Sequence, residues 1–168
     1  MIRYRSLTAT RCGFTNVLTT AIIIALVSLM SGQAFAQATG NRATFPKNFK
    51  EYVLYGVYDR GSSKEEAFAT AETIAIAKSG QPLPAGTQLV LGIWTDYKLV
   101  SYFVMEKGVD WGAASSQDLR TGDWHFQQFD LNGQVKREAI ADRCQSCHGS
   151  QAANDFMFTI DKMRAYLP

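Results

Sequence analysis

The feature that most constrains this chain is the pentapeptide Cys144-Gln145-Ser146-Cys147-His148, close to the end of the sequence. Two cysteines three positions apart, with a histidine directly after the second, match the attachment pattern of a c-type haem. Each thiol can form a thioether with one haem vinyl group, and the adjacent imidazole can bind the iron from one face. We therefore predict one covalent haem c per chain, attached through Cys144 and Cys147, with His148 as the iron ligand.

Three other interpretations of the same cysteines remain open. A thioredoxin-like redox pair would open a helix after an early strand, whereas this pair follows a run of predicted strands. A structural zinc site needs four ligands. The two cysteines, His148 and His125 would supply that number, although Cys147 and its neighbour His148 would have to chelate one ion. A plain disulfide between Cys144 and Cys147 is the simplest alternative.

The first 36 residues have the pattern of a secretory signal peptide. Three arginines make this segment basic, namely Arg3, Arg5 and Arg11. An apolar run over residues 17–30 is shorter than the roughly 20 residues that a membrane span needs. It leads to the small-residue pattern Ala34-Phe35-Ala36, which a signal peptidase recognises. We predict cleavage after Ala36, a periplasmic location and no membrane association afterwards; an uncleaved membrane anchor is the alternative.

The composition of the remaining chain agrees with an exported haem protein. Loss of residues 1–36 would leave 132 of the 168 residues, enough for one domain with a buried core. Those 132 residues carry 14 basic and 15 acidic side chains, so this near balance gives no indication of a nucleic-acid partner. Cys12 lies in the predicted signal peptide, so the thiols that remain all belong to the pentapeptide.

Most of the chain before the pentapeptide has the pattern of β-strands. Strands are predicted over residues 55–59, 88–95, 99–107, 123–131 and 134–136. A hairpin turn is expected at residues 96–98, and Asn132-Gly133 is a pair typical of tight turns. These strands predict an α+β domain over residues 37–168 that is mainly an antiparallel sheet with a few short helices. The C-terminal segment that contains the pentapeptide would hold the haem against the sheet.

The helices are predicted from caps and from apolar spacing. Ser63 and Glu66 have the spacing of a capping box, which predicts a helix over residues 63–78 that ends at Gly80. Its inner side would be formed by Phe68, Ala71, Ala75 and Ile76. Shorter helices are expected over residues 48–54 and 161–166, and around the pentapeptide itself.

Several stretches, taken in order, resemble the cytochrome P-460 family, which includes the cytochromes c′-beta. Only the haem motif is specific by itself, but the order and spacing of the set cover nearly all of the chain after the signal peptide. The matching stretches are residues 45–52, 78–80, 84–87, 102–107, 123–126, 144–148 and 155–159.

The resemblance implies a mostly β homodimer with one c-type haem per chain and an iron that keeps one coordination position open. That position binds small molecules such as nitric oxide. Cytochromes P-460 proper oxidise hydroxylamine and carry an additional bond between a lysine and the haem. That lysine lies five residues after the glycine of a Gly-Thr turn, and here the matching residue after Gly86 is Leu91. Leu91 is therefore expected to contact the haem without a cross-link, as in the c′-beta-like branch.

Three functions follow from these expectations. The first is a cytochrome that binds a diatomic or nitrogen-oxide ligand, or performs redox chemistry with a partner protein, at an open iron site. The second is a hydroxylamine-oxidising enzyme. The third is an electron carrier with a second axial ligand from His125, Met105 or Met157. In the first case Phe103, Phe126 and Phe129 are candidates for an apolar wall beside the iron.

Overall fold

The structure is a computed structural model that describes residues 41–137 and 140–168. The predicted signal peptide, residues 1–36, lies outside the described residues. Within the two described ranges, none of the helices has both the length and the apolar character needed to cross a membrane.

Six strands of the described chain form one open antiparallel sheet, in which each strand pairs with the next along the sequence. The strands are β1 (Val53–Arg60), β2 (Ser63–Ala69), β3 (Gln88–Thr95), β4 (Lys98–Lys107), β5 (Trp124–Phe129) and β6 (Val135–Arg137). The β3–β4 turn holds Asp96 and Tyr97 at φ of 48° and 62°, as a two-residue hairpin turn requires. The predicted α+β class with a mainly antiparallel sheet is confirmed.

The helices are short; the first lies between β2 and β3 in sequence and the other two follow β6. They are α1 (Ala71–Ser79), α2 (Ala141–His148) and α3 (Ile160–Arg164). Short 3₁₀ helices cover Phe49–Glu51, Trp111–Ala114 and Gly149–Asn154, the last with a kink at Gln151. The helix predicted over residues 48–54 is therefore shorter than expected, since β1 already begins at Val53.

The helix predicted over residues 63–78 is wrong in its first half, which is strand β2. Glu66 does not cap a helix there, because its carboxylate accepts a hydrogen bond of 2.9 Å from the indole of Trp94. Helix α1 begins instead after Thr70, whose hydroxyl accepts a 3.1 Å bond from the amide of Thr73. It ends as predicted at Gly80, which has a φ of 76°. Pairing of β2 with both neighbouring strands outweighs the local helical pattern.

This shift also changes the inner side of the helix. Thr73, Ile74 and Ala77 are its buried residues, whereas Ala71 and Ala75 are exposed. Phe68 lies in β2 and belongs to a different part of the core.

The two faces of the sheet carry separate cores. One face, here called the helix face, packs against the helices through Leu89, Met105, Trp124 and Phe126. The other, here called the aromatic face, is built around Val90, Val104 and Phe129. Rings from the segment before β1 and from the strands pack on it, namely Phe45, Phe49, Tyr52, Phe68 and Tyr102. The candidate site lies on the helix face.

Candidate haem site

Helix α2 consists almost entirely of the predicted haem-attachment motif. It covers Ala141–His148, so Cys144 and Cys147 are one turn apart and face the same side. Both cysteines are free thiols; Cys144 is half-buried and Cys147 is exposed. Burial raises the pKa of the Cys144 thiol to about 11. The helix therefore presents two unpaired thiols and one imidazole within eight residues.

A cavity of about 940 Å³ lies between this helix and the sheet. Cys144, Cys147 and His148 all line it. The opposite wall is apolar and comes from strands β3, β4 and β5, through Leu89, Leu91, Phe103, Met105 and Phe126. The volume is at the upper end of the range of about 300–1,000 Å³ that is usual for sites of small molecules and cofactors.

The lining of this cavity has an apolar part, set by the strand register, and a polar part. Leu89, Met105 and Phe126 lie side by side in one row across the sheet, and the next row contains Leu91 and Phe103. Polar and charged side chains complete the lining, namely Gln128 in the second row and Tyr58, Arg60, Glu65, Lys136 and Arg143. The three cationic side chains of this set are donors of the kind that bind the carboxylates of a haem.

The imidazole of His148 is held in one orientation by its neighbours. Its Nδ1 lies 2.6 Å from the backbone carbonyl oxygen of Phe156. Since a carbonyl oxygen can only accept, Nδ1 carries the hydrogen and the lone pair is on Nε2. The ring packs between Phe126 and Phe158, with centroids 4.6 Å and 5.1 Å away. Burial lowers the pKa of His148, so the imidazole is neutral near pH 7.

These residues fit a covalently attached haem. The two thiols are reduced, the neutral imidazole has an engaged Nδ1 and a free lone pair on Nε2, and the facing wall is apolar, as metal-ligating histidines and cofactor pockets require. A further observation concerns Tyr58, which lines the cavity. Among the described residues its hydroxyl is buried without a hydrogen-bond partner; buried hydroxyls normally have one, so this oxygen is available to a group bound in the cavity.

Comparison with known families decides what kind of protein this is. A family model for cytochrome P460 matches residues 46–159, which contain the motif, the cavity wall and the loop after helix α2. The chain belongs to the cytochrome P460 family. It is therefore a c-type cytochrome of that family, and the cofactor that the family implies is an iron-containing haem c. The comparison with curated proteins gave no match.

In this cytochrome Leu91, the residue expected to contact the haem, lines the cavity. It pairs with Ala67 on one side and with Phe103 on the other. Lys78, Lys98 and Lys107 are the lysines nearest to Leu91 in sequence, and none of them lines the cavity. A lysine that does line it, Lys136, was missed, because its position depends on the pairing of the short strand β6.

His125 lies on the side of the sheet away from the cavity. Only 5% of the residue is exposed. Its Nδ1 accepts a 3.1 Å hydrogen bond from the amide of Arg42, and its Nε2 lies 3.1 Å from the carbonyl oxygen of Trp111. Burial lowers the pKa of this histidine as well. Both ring nitrogens are therefore bonded to backbone groups outside the cavity that His148 lines, and within the described residues the four candidate zinc ligands form no cluster.

The phenylalanines and methionines proposed from sequence do not all lie at the cavity. Phe103 and Phe126 line it as expected, but the expectation for Phe129 is wrong. Phe129 belongs to the aromatic face, because alternate residues of a strand face opposite sides and Phe129 lies three positions after Phe126 in β5. The side chains of Met105 and Met157 are both buried and both line the cavity.

The loop after the motif is a second feature that the sequence analysis missed. Asp155 and Phe156 both have positive φ, 51° and 60°, and the carbonyl of Phe156 is the group that holds His148. The sequence offered little signal for this arrangement, since neither residue is a glycine or an asparagine.

Proposed function

We propose that the protein is an exported, periplasmic cytochrome with one haem c per chain and an open iron site that binds a small ligand such as nitric oxide. In this proposal Cys144 and Cys147 form the thioethers and His148 is the protein ligand. The main observation in support of this proposal is the position of the two histidines. The sequence contains two, and His125 has both nitrogens engaged outside the cavity.

When bound, a c-type haem supplies an iron that binds a diatomic ligand or exchanges one electron. The chain contributes the surroundings. Leu91, Phe103 and Met105 exclude water from the wall that faces the motif, which favours a neutral diatomic ligand over hydroxide. The Phe156 carbonyl keeps the hydrogen of His148 on Nδ1, so that the other nitrogen is free for the metal.

Two partners belong to this proposal through the family resemblance. One is a second copy of the chain in a homodimer, and the other is a redox protein that exchanges electrons with the haem. The near balance of charge in residues 37–168 supports neither a nucleic acid nor an acidic membrane surface as a partner.

A six-coordinate electron carrier is the second candidate, and a specific observation favours it. Met105 and Met157 both line the cavity with buried side chains, and a thioether is a known axial ligand that raises the reduction potential. Against it, both side chains also pack in the core of the helix face, where methionine commonly serves as a flexible filler.

Optical and electron paramagnetic resonance spectra of the purified haem protein test the proposal. We expect a high-spin iron in the reduced protein and a clear spectral change when nitric oxide is added. Low-spin spectra in both oxidation states, with no response to nitric oxide, would contradict the proposal and identify the electron carrier. Matched Met105→Leu and Met157→Leu variants would then show which sulfur binds, since only one of them should become high-spin.

A further inference from the structure

The loop between the haem motif and helix α3 adopts an unusual backbone conformation. Asp155 and Phe156, in sequence, have φ of 51° and 60°. A single Asp in the left-handed region is common, but a bulky Phe directly after it is not. Such a conformation persists when the surrounding structure holds it in place.

The side chain of Asp155 is held by two residues of the sheet. Its carboxylate accepts hydrogen bonds from Nζ of Lys107, at 3.2 Å and 2.9 Å, and from the indole Nε1 of Trp124, at 3.2 Å. Lys107 and Trp124 lie opposite each other in β4 and β5. The ammonium group is also 5.3 Å from the centre of the Trp124 ring. These three residues are called the anchor cluster below.

Phe156, the next residue, is held by contacts of its ring and of its backbone. The ring of Phe156 lies over Gly122, where an added Cβ would come within 3.0 Å of it. The amide of Phe156 donates a 2.8 Å bond to the carbonyl oxygen of Gln151. These contacts fix the ring and the amide of Phe156, and its carbonyl oxygen lies 2.6 Å from Nδ1 of His148.

We propose that the anchor cluster of Lys107, Asp155 and Trp124 is a positioning device that fixes the His148 imidazole through the Phe156 carbonyl and so tunes the haem iron. This rests on the proposed function in one respect, that His148 is the iron ligand. A strong bond from Nδ1–H to a carbonyl gives the imidazole more anionic character and makes it a stronger donor to the metal. A stronger donor favours oxidised iron and lowers the reduction potential.

The chain contains a matched control for this cluster. Lys64, Glu66 and Trp94 repeat the same combination, with a 2.7 Å ion pair and a 2.9 Å indole bond to the carboxylate. The Lys64 ammonium group is 4.0 Å from the centre of the Trp94 ring. Glu66 is adjacent to the cavity residue Glu65, so its side chain faces the opposite side of the sheet.

The experiment compares variants of the haem-loaded, full-length protein by redox titration and by the iron–histidine stretching band of the reduced form. Asp155→Asn keeps the backbone preference and an acceptor for Trp124 but removes the charge that holds Lys107. Lys107→Met removes the same ion pair from the other side. We expect both variants to raise the ratio of reduced to oxidised protein at a fixed potential about tenfold. For a one-electron couple that is about 59 mV. We also expect the band to shift to lower frequency.

Three comparisons make the result decisive. Lys107→Arg should restore the wild-type potential, and Glu66→Gln should leave both readouts unchanged. Wild-type potential and band in Asp155→Asn and Lys107→Met would overturn the positioning role while leaving the proposed function intact. Absence of an iron–histidine band in the wild-type reduced protein would overturn the open iron site of the proposed function, and the redox titration of the same variants would still decide the positioning role.

Discussion

Leu91 and Phe103 lie directly opposite each other in strands β3 and β4, and both side chains face the cavity beside the haem motif. An aliphatic residue and a phenyl ring offer no nucleophile to the edge of a porphyrin. The position that the family resemblance assigns to a cross-linking lysine is thus filled by a residue that has no nucleophile.

The first prediction follows from this pair. The mass of the protein should equal that of the polypeptide plus one haem joined by two thioethers, and the reduced spectrum should be that of an ordinary c-type haem. Mass spectrometry and peptide mapping check this. Lys136 is the residue to map with most care, because it lines the cavity while its Nζ donates a 3.0 Å bond to the carbonyl oxygen of Val100. A porphyrin adduct on Lys136, together with hydroxylamine turnover, would favour the enzymatic alternative.

The second prediction concerns the two thiols. Protein made with haem-attachment machinery should keep its haem on a denaturing gel; Cys144→Ala or Cys147→Ala should weaken this retention, and the double change should abolish it. In the haem-free protein at pH 8, alkylation should modify Cys147 well before Cys144. The reason is that Cys147 is exposed, whereas burial raises the pKa of Cys144 to about 11 and keeps it protonated. Equal alkylation rates in the folded protein would contradict the structure.

The third prediction separates His125 from the iron. His125→Ala should leave the spin state of the haem unchanged, because both ring nitrogens bond to backbone groups of Arg42 and Trp111. The same change should lower the free energy of unfolding by about 1–3 kcal/mol, since buried polar groups lose their partners. Denaturant titration and electron paramagnetic resonance measure the two effects. A low-spin wild type that turns high-spin in the variant would mean that His125 binds the iron.

The fourth prediction is a pH dependence of stability from the same residue. Burial lowers the folded-state pKa of His125 below its ordinary value of 6.5. Above pH 6.5 His125 is neutral in the folded and the unfolded protein, and its contribution to the free energy of unfolding is complete. As the pH falls below 6.5, the unfolded chain binds a proton more readily than the folded protein. Stability is therefore lost until the pH has passed the folded-state pKa. The loss amounts to about 1.4 kcal/mol for each unit of lowering.

Denaturant titrations of the haem protein between pH 8 and pH 5 measure this loss. His125→Gln is the matched variant, since it keeps a polar side chain that does not titrate. The free energy of unfolding of the wild type minus that of the variant should decline below pH 6.5, the ordinary pKa of the residue. A difference that stays constant over this range would show that the folded protein binds the proton as easily as the unfolded chain.

The parts of the fold that could be predicted from sequence are those set by local chemistry. The β3–β4 hairpin follows from two apolar strands around a short polar turn, and Gly80 ends a helix because glycine adopts a positive φ at little cost. Residues 63–69 could not be assigned this way. Their Ser-x-x-Glu pattern satisfies a helix cap locally, and only the presence of β1 and β3 on both sides makes a strand more stable.

The candidate site also has a part that could be predicted from sequence and a part that could not. The motif residues and Leu91 were found because a covalent attachment and a family position depend on sequence spacing. Lys136, Tyr58 and the anchor cluster were missed because residues as far apart as Lys107 and Asp155 meet only through the sheet register and the path of the loop. Phe129 could have been placed correctly from sequence, since regular alternation along β5 puts it on the face opposite to Phe126.

The aromatic face has a consequence for how such a protein is made. Its rings, from Phe45 and Phe49 to Tyr102 and Phe129, touch one another at centroid distances of 5.0–5.5 Å, and none of them lines the cavity. We therefore expect this half of the sheet to pack without the cofactor, while the exposed Cys147 on the opposite side stays accessible to an attachment enzyme. Near-ultraviolet circular dichroism of the haem-free protein should already show these rings in a fixed environment.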